Sequence, residues 1–407
     1  MVDLPDNVLT KPPAPSATAQ PSPSQYEVPK RAQNSQIPYE QATIDAGGID
    51  WKDWESVFVQ LRWADSAAHF RFTSVERQAG GLSQGAIVSP QFGPGARVKI
   101  NLGGIDVVDG VIEIRQVAYD ASRHGVELQG KSITSVVARS SVNTKSGSFD
   151  GMTWLQVAQK VVSPYPTKII PVGALNSIPF DKLQNQTGEH IWDFLERIAR
   201  PRGIILGSDS FGNFLAIGDH AAPVLNTQLI EGQNIKKMQC VFRKDEVYAQ
   251  YNATGHHAAS NDNAYTKASE IEGRWSGTGI LNSILITPAE QPVKYPGEMT
   301  DRAKNEALWH EGTKVEATVT VQGWFRDDEN LWWPGDNVFV YSPMCPLNMM
   351  MKIQTVTFTQ DNNSGTETTL ELKLPWALKD NTQMNPGPVD TTQLPPQNNP
   401  NGNVEPH

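Results

Sequence analysis

The residues in this chain that could do chemistry are scattered, and most stand in patterns that offer a structural role instead. His256-His257 is the pair most like a metal ligand set, but it lies in the polar stretch YNATGHHAASNDNAY, with no third His or carboxylate at ligand spacing. His310-Glu311 and Glu189-His190 fall on helical patterns, where adjacent residues face apart, and read as solvated helix faces. Arg326-Asp-Asp-Glu-Asn330 gathers carboxylates between two strands, without the ordered oxygens and closing Glu of a calcium loop, so it reads as a hairpin tip. No G-x-S-x-G elbow is present, and Gly207-Ser-Asp-Ser210-Phe-Gly212 sits inside an expected hairpin. Gly47-Gly48 and Gly103-Gly104 precede Ile-Asp without opening a helix, so they cradle no phosphate. Trp324, Trp332 and Trp333 offer a sugar platform, although consecutive strand residues face opposite ways and one of the pair belongs to a core. Catalytic, cofactor-binding and metal residues are therefore expected to be none. A hidden Asp/Glu pair of a wall-degrading glycosidase is the leading enzymatic alternative.

Composition narrows the classes further. The chain has 407 residues, 38% of them hydrophobic and 19% charged, which is more than one ordinary core requires. Two cysteines, Cys240 and Cys345, allow one disulfide and no framework, and they read as small buried hydrophobes. The opening MVDLPDNVLTKPP has neither the basic start nor the apolar run of a signal peptide, and no apolar run is long enough to span a membrane. A net charge of −10 argues against a general nucleic-acid binder, and it does not exclude a protein past which DNA must slide, since an acidic surface repels phosphate.

The elements that must position these residues are mostly strands. VFVQLRW, ARVKINL, GVIEIRQVAY, HGVELQG, EATVTVQGW, DNVFVYS, MMKIQTVTFTQ and ETTLELKL alternate or run apolar between Gly, Asn and Asp. Three stretches carry helical periodicity. One follows Thr153 and ends at Pro164. A second is capped by Thr187, carries Ile191, Phe194, Leu195 and Ile198, and stops at Pro201 and Gly203. The third runs from a cap at Thr300 through Ala303, Ala307 and Leu308 to Gly312. GIILGSDSFGNFLAIGD reads as a hairpin behind the second helix.

A repeat organises the rest. Pro94-Gly-Ala-Arg-Val98, Ile114-Arg-Gln-Val117-Ala-Tyr119 and Gly125-Val-Glu-Leu128 recur as Pro334-Gly-Asp-Asn-Val338, Ile353-Gln-Thr-Val356-Thr-Phe358 and Gly365 to Leu370, about 240 residues on. The expected fold is mainly β with α+β insertions: two similar antiparallel β-barrel-like domains and a smaller α+β domain. Expected boundaries are an extended Pro/Ser/Gln-rich tail at 1–48, the first β domain at 49–148 and the α+β domain at 149–225. A β-rich connecting region at 226–312, with a helix near 300–311, precedes the second β domain at 313–380 and an extended tail at 381–407. Both tails lack the apolar residues for a core and are expected to order along partner proteins.

Three stretches also carry a resemblance. Arg302-Ala303 through Glu316-Ala-Thr-Val-Thr-Val-Gln322-Gly323-Trp324 to Leu331-Trp332-Trp333-Pro334-Gly335-Asp-Asn-Val338 resembles the Mu-like phage tail protein P family. That family is related to late control protein D and to the hub part of type VI secretion spike proteins. Phe194-Leu-Glu-Arg197-Ile-Ala-Arg200-Pro-Arg-Gly203 with Gly212-Asn213 matches a second stretch, and Leu128-Gln-Gly130-Lys131-Ser132 a third. Lys131 departs from the family's Gly-Arg-Ser, and 255–298 does not follow its pattern. The resemblance spans about 55–378 in order. It implies a structural baseplate hub of a contractile tail, a late virion protein assembled in the host cytoplasm. Three copies would form a ring between the hexameric tail tube and the trimeric central spike, with DNA passing through and other baseplate proteins bound by the tails. A type VI or tailocin-like hub is the alternative, and a glycan-binding tail protein a further one. Two similar β domains in each of three chains make six quasi-equivalent units, which reconciles a six-fold with a three-fold neighbour.

Overall fold

The computed structural model describes residues 28–380, apart from 33–34, 76–77, 80–81, 84–91, 120–123, 145–146, 257–269, 290–291 and 294–295. Both expected tails, 1–48 and 381–407, therefore lie wholly or partly outside the described residues. The described part of the first is not tail throughout: β1 (Ala42–Ala46) buries Ala42, Ile44 and Ala46 and leads by the Gly47-Gly48 turn into β2 (Ile49–Trp51). Alternation over five residues suffices to enter a sheet when its partner strand is already in place.

Next come β3 (Ser56–Arg62) and β4 (His69–Val75), then the two-residue ladder of β5 (Gln78–Ala79) with β6 (Leu82–Ser83). The Pro94-Gly95 turn launches β7 (Arg97–Leu102), and the Gly103-Gly104 turn, with both glycines at positive φ, hands the chain to the long β8 (Ile105–Tyr119). β9 (His124–Ser132) returns along it.

Helix α1 (Thr134–Ala138) then opens the α+β unit. In α2 (Trp154–Val162) the Thr153 hydroxyl accepts from the Gln156 amide and the Gln156 side chain accepts in return, so the expected start is met by a reciprocal cap. β10 (Ile169–Val172) follows, and α3 (Ile191–Ala199) begins after His190 rather than Thr187. β11 (Ile205–Ser208) and β12 (Phe214–Ile217) form the expected hairpin, whose turn is tied by Asp209 to the N–H groups of Phe211 and Asn213. The core here comprises Trp154, Val157, Phe194, Leu195, Ile198 and Phe214, with Phe149 against Phe194 at 5.3 Å.

The connecting region holds β13 (Leu229–Ile230), β14 (Lys237–Phe242) and a small sheet of β15 (Gln250–His256), β16 (Glu270–Ser276) and β17 (Ile284–Pro288). Helix α4 runs from Pro296 to Gly312, starting at a proline four residues before the expected cap Thr300. It packs on that sheet through Met299, Ala303 and Ala307. The last unit is β18 (Val315–Gln322), β19 (Asn337–Ser342), the long β20 (Leu347–Asp361) and β21 (Gly365–Lys373).

The expected duplication is visible as hydrogen bonding. Gly95 and Gly335, both at positive φ, donate to the carbonyls of Ile112 and Ile353 at 2.7 and 2.8 Å. Those isoleucines donate back to Ala96 and Asp336, each at 2.9 Å. β8 and β20 are each 15 residues long, β9 and β21 each 9, and both hairpins carry an irregularity just after the paired isoleucine. Ile112 thus corresponds to Ile353, whereas the sequence pattern had matched Ile114 to it.

The two repeats are not separate closed barrels. One 13-stranded sheet runs β14-β18-β21-β20-β3-β4-β9-β8-β7-β1-β2, with β19 beside β20 and β13 beside β19. Its first repeat reads β3-β4-β9-β8-β7 and its second β14-β18-β21-β20-β19. They fuse where β3 pairs with the second half of β20, from Arg62↔Thr355 to Ser56↔Asp361. β14 belongs to this second repeat by pairing, although its sequence lies in the connecting region. Val59, Leu61, Val356 and Phe358 are at most 1% exposed along this seam, and their burial supplies about 1.5–3 kcal/mol each.

Candidate assembly surface

The residues whose types promised chemistry do not converge. His256 ends β15 on the surface, and His257 lies outside the described residues. His310 packs edge-on to Tyr248 at 5.6 Å, and Glu311 accepts from the backbone N–H of Thr278 at 2.7 Å and from Lys314 at 2.9 Å. Burial pushes the Glu311 carboxyl up, but Thr278 and Lys314 together hold it below the usual carboxylate range. Glu189 is gripped by Arg197 at 2.7 and 2.9 Å. Both glutamates were expected on solvated helix faces; each is instead a joint between segments. Only tertiary partners distinguish the two cases, and sequence does not display them. Arg326–Asn330 is a hairpin tip, with Arg326 N–H donating to Asn330 at 2.8 Å and Glu329 at φ 61°.

The tryptophan platform is absent. Trp324, Trp332 and Trp333 are 1%, 2% and 1% exposed, and the indole N–H of Trp324 donates to Thr359 at 3.1 Å. Trp332 and Trp333 precede the Pro334-Gly335 turn outside any strand, so the alternation rule that would have exposed one of them does not apply. Cys240 and Cys345 are free, half-buried and packed on the main core. Burial and its neighbour Cys345 push the Cys240 thiol up to about 12, which keeps it protonated and unreactive.

A cleft of about 480 Å³ lies between α3, α4 and Trp376. Its two glutamates are each committed to an arginine one turn away, Glu196 to Arg200 at 3.0 Å and Glu306 to Arg302 at 2.8 Å.

A fully buried charged group ties segments together. Lys352 on β20 donates to Asp380 at 2.7 Å and to the Gly335 carbonyl at 2.6 Å, beside His220 at 3.3 Å and over the Trp63 ring at 5.3 Å. Burial lowers the Lys352 pKa, while Asp380 opposes that shift. Asp380 also accepts from Asn337 at 2.8 Å. Both repeats, the α+β unit and the end of the described chain thus meet at one ammonium.

Some of the exposed surface is apolar. The outer half of β8 exposes Ile114 by 51%, Val117 by 55% and Tyr119 by 78%, and β14 at the far end of the sheet exposes Phe242 by 52%. Among the described residues, β8 from Glu113 to Ala118 pairs along a strand on one side only, with β9, and β14 on one side only, with β18.

Residues 41–132 match the family model "Mu phage baseplate assembly protein GpP-like, N-terminal", and 134–218 match "Baseplate hub protein gp44-like, second domain". These two stretches are thus similar to domains of baseplate proteins. The same fold occurs in the 43 kDa tail protein of prophage MuSo2 from Shewanella oneidensis, at TM-score 0.70 and 22% identity over 84% of this chain and 100% of that one. A tail protein from Neisseria meningitidis MC58 shares it at TM-score 0.69 and 18% identity, over 83% and 98% of the two chains. The E. coli c3393 protein, a component of the type VI secretion system, aligns at TM-score 0.51 and 11% identity, over 86% and 77%. No curated protein matches the chain by sequence. The baseplate-like match ends where β12 ends, so β14, α4 and the second repeat enter the comparison by fold.

Proposed function

We propose that this chain is the structural hub of a phage-type contractile-tail baseplate, a ring of three copies that joins a hexameric tail tube to a trimeric central spike and surrounds the DNA channel. The observation that carries the reading is the internal duplication. Two sheet units with the same strand order and the same Gly-to-Ile turn bonding stand in one chain, so three chains present six similar units. A ring of that kind docks a six-fold neighbour on one side and a three-fold neighbour on the other. The role needs packing and symmetry matching and no catalysis. The ion-paired carboxylates of the α3–α4 cleft and the buried tryptophans agree with that. The tails at 1–27 and 381–407 would attach other baseplate proteins. A net charge of −10 per chain amounts to about −30 for three copies, which disfavours adhesion of passing phosphates.

The test is the mass and position of the protein in its particle. Native mass measurement of the purified chain is expected to give three copies, and electron cryomicroscopy of the particle to place them on the tail axis. A peripheral position, or a ring of another order, would overturn the reading. A type VI or tailocin-like hub would share the same ring, and a particle lacking packaged DNA would identify it.

A further inference from the structure

The cleft between α3, α4 and Trp376 does not end where its first hollow ends. A second hollow of about 440 Å³ continues it along α4, and the two share Gly203, Asn305, Leu308, Trp376 and Lys379. The groove so formed follows α4 from Asp301 to Trp309, about 12 Å of helix. Three indoles line it, those of Trp192, Trp309 and Trp376, beside apolar side chains that include Ile204 and Leu308. Trp309 is 38% exposed and the other two are half-buried. None of the three indole N–H groups has an acceptor among the described residues. Aromatic rings beside unused N–H donors suit a polyproline II segment, whose extended backbone presents carbonyls that bond nothing within the segment.

The chain carries such a segment within reach. Asp380 is fixed by Lys352, and its neighbour Lys379 donates to Asn305 in the middle of the groove. Residues 381–407 follow from that point, and they contain Leu394-Pro395-Pro396-Gln397. Each proline sets its own φ and also holds the residue before it out of the helical region. Leu394, Pro395 and Pro396 are therefore biased to an extended backbone before any contact forms, which lowers the entropy lost on docking. At about 3.1 Å per residue, Leu394–Gln397 matches the length of the groove. A coil as long as 381–393 has an end-to-end distance of about 20 Å, which keeps its far end near the groove at high effective concentration. The other proline-rich stretch, Pro12-Pro13-Ala14-Pro15, joins the described chain at Val28, which packs on the main core and not at the groove.

We infer that Leu394–Gln397 of this same chain docks along α4 as a polyproline II strand. Its prolines lie against Trp309 and Trp376, and its carbonyls accept from the indole N–H groups. The inference does not depend on the proposed ring, and it leaves 398–407 beyond the groove for the attachment proposed above. Closing the 381–393 tether offsets much of what so short a contact gains, so the docking shows at the groove and not in global unfolding.

Photo-cross-linking of the full-length protein tests it. p-Benzoylphenylalanine is placed at Leu394, or at Gln397 with Leu394 intact, and the linked peptides are identified by mass spectrometry after irradiation. Ordinary and heavy-isotope-labelled chains are mixed beforehand, so that links within a chain and links between chains differ in mass. The expected result is linkage to α4 or to the segment around Trp376, within one chain. The yield should fall several-fold in Pro395→Ala/Pro396→Ala and in Trp309→Ala, and a probe at Asn403 should link the groove several-fold less. Unchanged yield in the two proline and tryptophan variants would mean that the tether alone brings the probe near, and would overturn the docking. Links carrying both labels would give the groove to the tail of another copy and overturn the inference as well. So would linkage from a probe at Pro13 in place of Leu394 and Gln397, or no linkage to the groove from either of these.

Discussion

The ammonium of Lys352 and the carboxylate of Asp380 meet at 2.7 Å with both side chains fully shielded from water. An isolated charge there would be far costlier than the pair. Lys352→Met is expected to destabilise the protein by about 3–5 kcal/mol, because Asp380 stays buried without its cation. Adding Asp380→Leu should recover part of that loss, which separates the unpaired charge from the lost packing. Denaturant midpoints of the unsubstituted protein and the two variants check it. The same pair sets a limit on truncation: a chain ending at Asp380 should unfold as the full chain does, and one ending at Leu378 should resemble an Asp380 substitution.

Gly95 and Gly335 occupy the same place in the two repeats, at φ 88° and 96°, yet in different surroundings. A Cβ on Gly95 meets nothing within 4 Å, whereas one on Gly335 comes within 2.5 Å of the Trp63 ring. Gly95→Ala should therefore cost only the backbone strain, about 1 kcal/mol. Gly335→Ala should cost clearly more, since Trp63 also stacks beneath the Lys352 ammonium. Equal losses in thermal melts would show that the Trp63 contact is not limiting.

Burial pushes the Asp336 carboxyl up from 3.8 to about 6, against the pull of Arg326 and Lys352. The folded chain then holds a proton that the unfolded chain releases between about pH 4 and pH 6, so ionisation works against folding in that window. Compared with Asp336→Asn, the native protein should lose about 3 kcal/mol of relative stability as pH rises through it, with no further change above about pH 7. Denaturation curves across that range for the two proteins provide the measurement, and a flat difference would rule the effect out.

The purified protein is expected to clear no peptidoglycan on a zymogram, because Glu196 and Glu306 are tied to Arg200 and Arg302. A cleared zone that vanished in Glu306→Gln would place a wall-degrading site in the α3–α4 cleft.

The repeat was legible because Pro-Gly turns and alternating β-branched residues leave a trace at fixed spacing. Its register along β8 was not. Matching Ile114 to Ile353 instead of Ile112 is a slip of two, and a slip of two keeps every side chain on its face, so alternation cannot reveal it. The bonds from Gly95 and Gly335 do. Helix α4 hid only its first turn in sequence, because that turn brings Glu298 toward Arg202, 3.0 Å away in the interior, and an inward charge disguises a buried face. The fusion of the repeats was invisible for another reason. VFVQLRW reads the same whether its far edge meets water or β20. Likewise nothing in Lys352 or Asp380 themselves announces a buried pair, which exists only once distant segments close around it.

The seam between β3 and β20 also has a mechanical side. Seven residue pairs lie across it, from Arg62↔Thr355 to Ser56↔Asp361, and the sheet continues through them without a linker. A force along the strands loads those pairs together in shear, so it must break many bonds at once where a tethered pair of domains would swing on its hinge. A pull along the strands of the second repeat is therefore handed to β3 through all seven pairs together.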